Sequence, residues 1–521
     1  MKREFKQGIE DLRGKLQRGQ AAEALAEIEE MLTHDHDSAE VWRLCELAGA
    51  ASSQLLNAEG VASWYLRAGY NDTILRSQRE HLSNYLFALH YLPGLAPDDL
   101  ARQHRGYAML YQDEEMMPAR PPRSEGPLHI GYLAPDLQQS SSSLFFDVML
   151  TGLDPERYRV YAYSLSDAAD EYTGHLRAGA GLTYRSLSNI SIAEAADIIW
   201  NDGIDILVDL GGHSQGGDTL MVAARRPAPV NVTGIGYFST TGLPCSRMDY
   251  FLTDGVMDAE HHAVPGLPEN DDIYFSEQLL RLPHGFCFTP TPAMQRREPR
   301  LRTARPDAGR AVVFAAMGNF LKINEAVLRA WHRIMMAVPG SRLVLQDTMC
   351  LEVRRRMLET RMRHYDWGQL IDAGRVELRL GSDDYLAEYS ALDIVLDTFP
   401  YTGGATTATA LYMGAPVVTL AGDHHSARIG ASLLTAAQHE EWIAHDEQEY
   451  CDIAVRLAAD RDRLAQQKLQ LRSELMTSPL LDRCAYARAL EEVYDTIANI
   501  ARVQARLKNQ AGNVTDEGER S

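Results

Sequence analysis

Asp397 closes an apolar run and is followed by Gly403, Gly404, Ala405, Thr406, Thr407 and Thr409. Two glycines let a backbone come close to a ligand. A helix beginning there offers unpaired N–H groups and the positive end of its dipole, and threonine hydroxyls add neutral donors. A diphosphate suits such a turn. The same residues also read as an ordinary strand–turn–helix connection with threonine caps. A second cluster, Met317 to Asn324, holds Asn319 and Lys322 directly after the apolar run Val312–Ala316. A lysine at the carboxyl end of a strand can neutralise phosphate charge, including the charge that grows on a departing diphosphate. Read without that neighbourhood, it is a surface lysine. The third cluster is Asp209, Gly211, Gly212 and His213, again after an apolar run. His213 is a candidate general base for an acceptor hydroxyl or a phosphate ligand, and otherwise a polar loop residue. The segment from Arg225 to Gly242, which includes Gly236, adds glycines and hydroxyls without specifying a reaction.

These clusters need elements to hold them. Apolar runs at Ile130, Val160, Ile204–Leu210, Val232 and Tyr250 alternate with helical patterns such as Ile192–Asn201. A second series follows at Ala311, Arg342, Arg375, Asp393 and Pro416, with helices over Glu325–Met336 and Tyr385–Ala391. Strand–helix alternation of this kind predicts two α/β lobes with parallel sheets, and a ligand in the crevice at their carboxyl ends. The chain up to about Tyr111 has the periodicity of helices, with Asp37 or Ser38 as an N-cap, and loosely resembles tetratricopeptide repeats; a plain helical bundle fits equally. Proline-rich stretches at 117–127 and 289–306 mark boundaries. The expected organisation is a helical, tetratricopeptide-like domain over 1–116, lobes over 127–288 and 307–480, a C-terminal helix over 481–507 and a disordered tail over 508–521.

The whole chain narrows the function classes. Its 521 residues are 45% hydrophobic and 24% charged, as in soluble globular proteins. A net charge of -21 argues against duplex nucleic acid or an anionic membrane as the main partner. Six scattered cysteines form no CxxC pair or Cys/His metal spacing, and the thiols read as buried and reduced, in a cytoplasmic protein. No apolar window is long enough to span a membrane, and the basic start lacks a signal-peptide core.

A set of motifs in fixed order sharpens this reading. Asp205 to His213, Arg226 to Val230, Gly236-Tyr, Thr241-Gly, Met248 to Tyr250 and Thr253-Asp lie in the first lobe. Leu396 to Tyr401, Gly403-Gly, Leu411 to Leu420 and Arg428 to Leu434 lie in the second. Together they resemble the O-GlcNAc transferase and SPINDLY-like family, glycosyltransferase family 41, over about Leu128 to Asn499. The resemblance implies a GT-B fold of two Rossmann-like lobes behind tetratricopeptide repeats. It also implies metal-independent, inverting transfer from a UDP- or GDP-sugar, held mainly by the second lobe, to a protein side chain, with no other cofactor. It places Lys322 on the diphosphate, Gly403, Gly404, Ala405, Thr406, Thr407 and Thr409 around the phosphates and ribose, and Asn319 and Tyr385 at the donor. Gly236 falls on a turn that approaches the donor. Lys322 and His213 are then the catalytic candidates, and Ser140 and His213 the acceptor-side candidates. Departures lie in the same pocket. Ser140 stands where the family has a histidine, Thr409 where it has an acidic residue, Tyr385 for a histidine, Ser382 near a basic position, and Ala405 within a threonine run.

Two readings of different class follow. One is an active protein glycosyltransferase, UDP-sugar most directly, whose helical domain presents the acceptor. The other is a catalytically impaired subunit of the same fold that binds or chaperones within a glycosylation system. A small-molecule or carrier-glycan transferase is a third. Homo- or hetero-oligomerisation is left open.

Overall fold

A computed structural model of the chain describes residues 3–34, 37–179, 181–261, 270–297, 311–382 and 384–518. Most of the second proline- and arginine-rich stretch, 298–306, and the start of the expected second lobe, 307–310, lie outside the described residues.

The chain begins with six helices: α1 (Arg3–Gln17), α2 (Ala21–Met31), α3 (Ser38–Gln54), α4 (Ala58–Asn71), α5 (Leu75–Leu89) and α6 (Pro97–Tyr107). Asp37 caps α3 by accepting from the Glu40 N–H, and Asn57 caps α4 through Gly60. Leu12, Ala24, Ile28, Leu44, Ala48 and Ala51 are fully buried in one cluster, where alanines let α1, α2 and α3 approach closely. The chain divides into two compact units, each discontinuous in sequence. One joins Met1–Pro97 to Pro290–Leu481; the other joins Asp98–Thr289 to Asp482–Ser521.

The second unit holds seven parallel strands: β1 (Leu128–Ala134), β2 (Tyr158–Ser164), β3 (Leu182–Ser186), β4 (Ile206–Asp209), β5 (Val230–Gly234), β6 (Tyr250–Asp254) and β7 (Gln278–Leu282). Their order is β3-β2-β1-β4-β5-β6-β7. β1, β4 and β5 are buried almost throughout, which is why they read as apolar runs rather than as alternating patterns. Helix Ile192–Asn201 lies where its periodicity placed it, started by a reciprocal Ser191–Glu194 capping box. The helix Arg483–Gly518 completes this core with Tyr486, Leu490, Tyr494 and Ile497.

The first unit holds β8 (Val313–Met317), β9 (Arg342–Gln346), β10 (Val376–Arg379), β11 (Ile394–Leu396), β12 (Val417–Leu420) and β13 (Ile443–Ala444), all parallel, in the order β10-β9-β8-β11-β12-β13. In both sheets the strand order reverses direction once, between β1 and β4 and between β8 and β11. Ligands of doubly wound sheets bind outside the carboxyl ends at that reversal.

The structure departs from the sequence reading in three places. β3, β7 and β13 were not expected. β3 and β7 are edge strands with partly exposed residues, and β13 is two residues long, so none carries a buried-strand pattern. The C-terminal helix continues to Gly518 rather than giving way to a disordered tail at 508. A helix nucleated on a packed face extends at little cost per residue. Only Cys45, Cys287 and Cys451 are buried; Cys245, Cys350 and Cys484 are exposed, at loops and a helix start. Among the described residues, no helix is long and apolar enough to cross a membrane.

Candidate functional site

In the first unit, the reversal point of the sheet brings two of the predicted clusters together. β8 ends at Met317 and leads through Gly318 and Asn319 into the single turn Phe320–Lys322. β11 ends at Leu396, and Asp397 opens the loop to helix Ala405–Tyr412. Asp397 organises that loop. Its Oδ1 accepts from the N–H of Thr398 (2.9 Å) and of Gly403 (2.7 Å), and its Oδ2 from the Thr419 hydroxyl (2.9 Å). Burial raises its pKa, against the opposing pull of Lys322 and these donors. Gly403 is required here for a local reason: a Cβ would come within 2.6 Å of both Thr406 Oγ1 and Thr407 Oγ1. Asn324 joins the two loops by donating to the Phe399 carbonyl at 2.6 Å.

Lys322 reaches across this junction. Its Nζ donates to the Thr402 carbonyl at 2.9 Å and lies 3.5 Å from the centre of the Tyr401 ring. Burial lowers its pKa to about 8, with Asp397 pulling the other way. The lysine is thus a cation held in place rather than a mobile surface group. The helix Ala405–Tyr412 has Gly404 at its N-cap with no side-chain cap. Gly404, Ala405 and Thr406 are partly exposed at this helix start, whereas Thr407 and Thr409 are 2% and 3% exposed. Asn319 is occupied locally: its Oδ1 accepts from the Leu321 N–H and from the buried guanidinium of Arg354, which also pairs with Asp347. Tyr385 begins a separate short helix, Tyr385–Glu388, and is 40% exposed; Ser382 accepts from the Asp384 N–H beside it.

The remaining candidates lie in the second unit, at the reversal between β1 and β4. Asp209 Oδ1 and Oδ2 accept from the Gly211 and Gly212 N–H groups and fold the turn that carries His213. The His213 ring is fully buried, edge-on to Tyr107 at 4.6 Å and Tyr237 at 5.0 Å. Its Nε2 lies 2.9 Å from the Thr241 carbonyl, so that nitrogen carries the proton and donates. Beside it, His104 accepts from the Tyr237 hydroxyl at Nε2 (2.6 Å) and donates from Nδ1 to the Leu100 carbonyl (2.7 Å). Gly236 packs against the same turn: a Cβ there would sit 1.7 Å from the Leu210 carbonyl oxygen. Ser140 is exposed and exchanges hydrogen bonds with Ser143 at the start of helix Ser143–Thr151. Gln215 donates to Asp136 at 2.9 Å, tying the turn after β4 to the loop after β1.

Burial lowers the pKa of His104 to about 4 and, with repulsion from His104, that of His213 to about 3. Both fall below the value of an unfolded histidine, so the unfolded chain takes up protons first as pH drops. The stability that depends on neutral rings is present above about pH 6.5 and is lost as pH falls toward 4. Replacing His104 with glutamine is expected to flatten the pH dependence of unfolding free energy over that window by about 1 kcal/mol per pH unit. Denaturant titration at several pH values reads this, and an unchanged slope would assign the acid sensitivity to other groups.

Sequence reasoning did not single out Tyr401, Thr402 or Arg354. Tyr401 closes the motif Leu396 to Tyr401. Its contact with a lysine far along the chain depends on two loops meeting.

Comparison with known proteins identifies the family and the fold. The profile of glycosyl transferase family 41 matches residues 107–296 and 300–490. A tomato protein named as a probable UDP-N-acetylglucosamine–peptide N-acetylglucosaminyltransferase, SPINDLY, is 35% identical over 426 residues, 79% of this chain and 43% of its own. The Arabidopsis thaliana protein of the same name is 36% identical over 426 residues, 79% of this chain and 44% of its own. The chain therefore spans less than half the length of these relatives. An O-GlcNAc transferase of Thermobaculum terrenum, solved as a point mutant, superposes with a TM-score of 0.79 at 28% identity, covering 94% of this chain and 90% of that one. The fold is GT-B, two sheets of Rossmann type preceded by an all-α segment. The chain belongs to glycosyl transferase family 41.

Proposed function

We propose that this protein transfers a sugar from a UDP-sugar to a protein side chain, with inversion and without a metal ion. The observation that carries the proposal is the meeting of Lys322 with the Gly403–Thr407 helix start at the reversal of the second sheet. An ammonium has three donors. Thr402 takes one and the Tyr401 face another, which leaves a direction for a phosphate oxygen. The start of helix Ala405–Tyr412, with no side-chain cap, adds N–H donors beside the same loop. In the reaction the acceptor oxygen bonds to the anomeric carbon from the face opposite the diphosphate. The bond to the β-phosphate oxygen breaks with its electron pair, and the acceptor proton passes to solvent. Lys322 stabilises the charge left on the diphosphate. His213, a buried neutral donor, keeps the turn after β4 in shape through Thr241. The names of the relatives make UDP-N-acetylglucosamine the first donor to test, and the helical segment α1–α5 supports a protein acceptor. Cytoplasmic residence belongs to this reading.

The test is calorimetric titration with UDP and GDP, followed by nucleotide release from UDP- and GDP-sugars in the presence of acceptor peptides. Failure to bind either nucleotide at millimolar concentration would overturn the reading. Binding without turnover would favour the impaired binding subunit. Turnover is expected to persist in excess EDTA, because a lysine supplies the cationic charge. Loss that magnesium restores would refute metal independence.

A further inference from the structure

The end of α5 packs against the donor-site loop. Tyr91 and His90 lie 5.4 Å and 6.2 Å from the Tyr401 ring, and Phe87 meets it edge-on at 6.5 Å. His90 is 1% exposed, and its Nδ1 lies 2.8 Å from the Ser426 hydroxyl. The Ser426 carbonyl accepts from both the N–H and the hydroxyl of Thr402, each at 3.1 Å. The Thr402 carbonyl in turn holds Lys322. Two routes therefore run from α5 to the lysine. One passes through the face of Tyr401, the other through Ser426 and Thr402.

We propose that Tyr401, set by Phe87, His90 and Tyr91 at the end of α5, is a positioning residue that holds the Lys322 ammonium in the orientation that receives the donor diphosphate. The inference rests on the donor reading above. It assigns the helical segment a part in the donor site itself, besides any contact with an acceptor. A ring face attracts a desolvated ammonium, and with the Thr402 carbonyl accepting one hydrogen it leaves a further N–H for a ligand. Among the described residues, the groups that face this cluster are the Asp397 carboxylate just past β11, His90 and Tyr91 just past α5, His424 beside the turn His425–Ala427, and Arg354, whose charge acts on Tyr91.

The test compares wild type, Tyr401→Phe, Tyr401→Leu, His90→Ala and Lys322→Ala in the full chain, by calorimetric titration with UDP between pH 6.5 and 9. Tyr401→Phe keeps the ring face and is expected to bind within about threefold of wild type. Tyr401→Leu removes the face and is expected to bind roughly tenfold more weakly, with the deficit growing as pH rises, because an ammonium without the ring loses its proton earlier. His90→Ala is expected to fall between the two. Melting temperatures measured alongside separate this from general damage, since a merely structural role would weaken binding equally at every pH. If Tyr401→Leu binds UDP as wild type does while Lys322→Ala does not, the inference fails and the donor reading stands. A pH-independent deficit, or one that Tyr401→Phe shares in full, also overturns it. If wild type binds no nucleotide, the donor reading fails first.

Discussion

Replacing Lys322 with methionine is expected to lower sugar transfer by about a thousandfold while making the nucleotide-free protein more stable. The first effect follows from where charge develops. In the proposed reaction the diphosphate gains negative charge as the glycosidic bond breaks, and Lys322, held by the loops after β8 and β11, is the cation assigned to it. The second follows from burial, which lowers the lysine pKa to about 8. Below about pH 8 both the folded and the unfolded lysine are protonated, and the cost of burying the ammonium is fully present. Between about 8 and 10.5 the folded lysine releases its proton before the unfolded one, so wild-type stability rises with pH through that window. Methionine fills similar volume without charge, and the variant is expected to gain about 1 kcal/mol near neutral pH and to lack the alkaline rise. Under the proposed function, donor affinity in wild type is expected to run the other way, declining above about pH 8 as the ammonium is lost. Released nucleotide measures the first effect and melting temperature across pH the second. A variant that keeps more than about a tenth of the turnover would remove Lys322 from the diphosphate.

Gly236→Ala is expected to destabilise the protein by at least about 3 kcal/mol, a fall of roughly 6 °C in the melting temperature of the unit that holds it. The added Cβ would meet the Leu210 carbonyl oxygen at 1.7 Å, and backbone has no rotamer with which to move aside. Leu210 belongs to the turn that Asp209 folds and that carries His213, so relief of the clash must disturb that turn or β5. Differential scanning calorimetry and soluble yield measure the effect. A normal melting temperature with weakened donor binding would instead show that the glycine is there for the ligand, as the family resemblance implies.

The contrast between Gly236 and Lys322 shows how legible the molecule was. Both stood out in the sequence, one as a glycine in a motif and one as a lysine after an apolar run. Their order in the chain gave each a place at the carboxyl end of a strand, because parallel sheets buried on both faces leave continuous apolar runs that end where the loop begins. Helices were equally readable where a cap and a 3.6-residue period coincide, as at Ser191 to Asn201 and Asp37 to Gln54. Edge strands β3 and β7 were not, since partial exposure leaves them without either pattern.

The sequence by itself determined the alternation that makes two doubly wound sheets, the family, and the positions of the glycine- and lysine-bearing loops. Those properties are local and periodic, written within a few residues of one another. Only the tertiary structure decided what each candidate touches. It buried His213 against Tyr107 and Thr241, occupied Asn319 with Arg354, and set Lys322 on Tyr401 beneath the end of α5. Such contacts join residues tens to hundreds of positions apart. Their pKa values and hydrogen bonds come from desolvation and close approach, which exist only once the chain has packed.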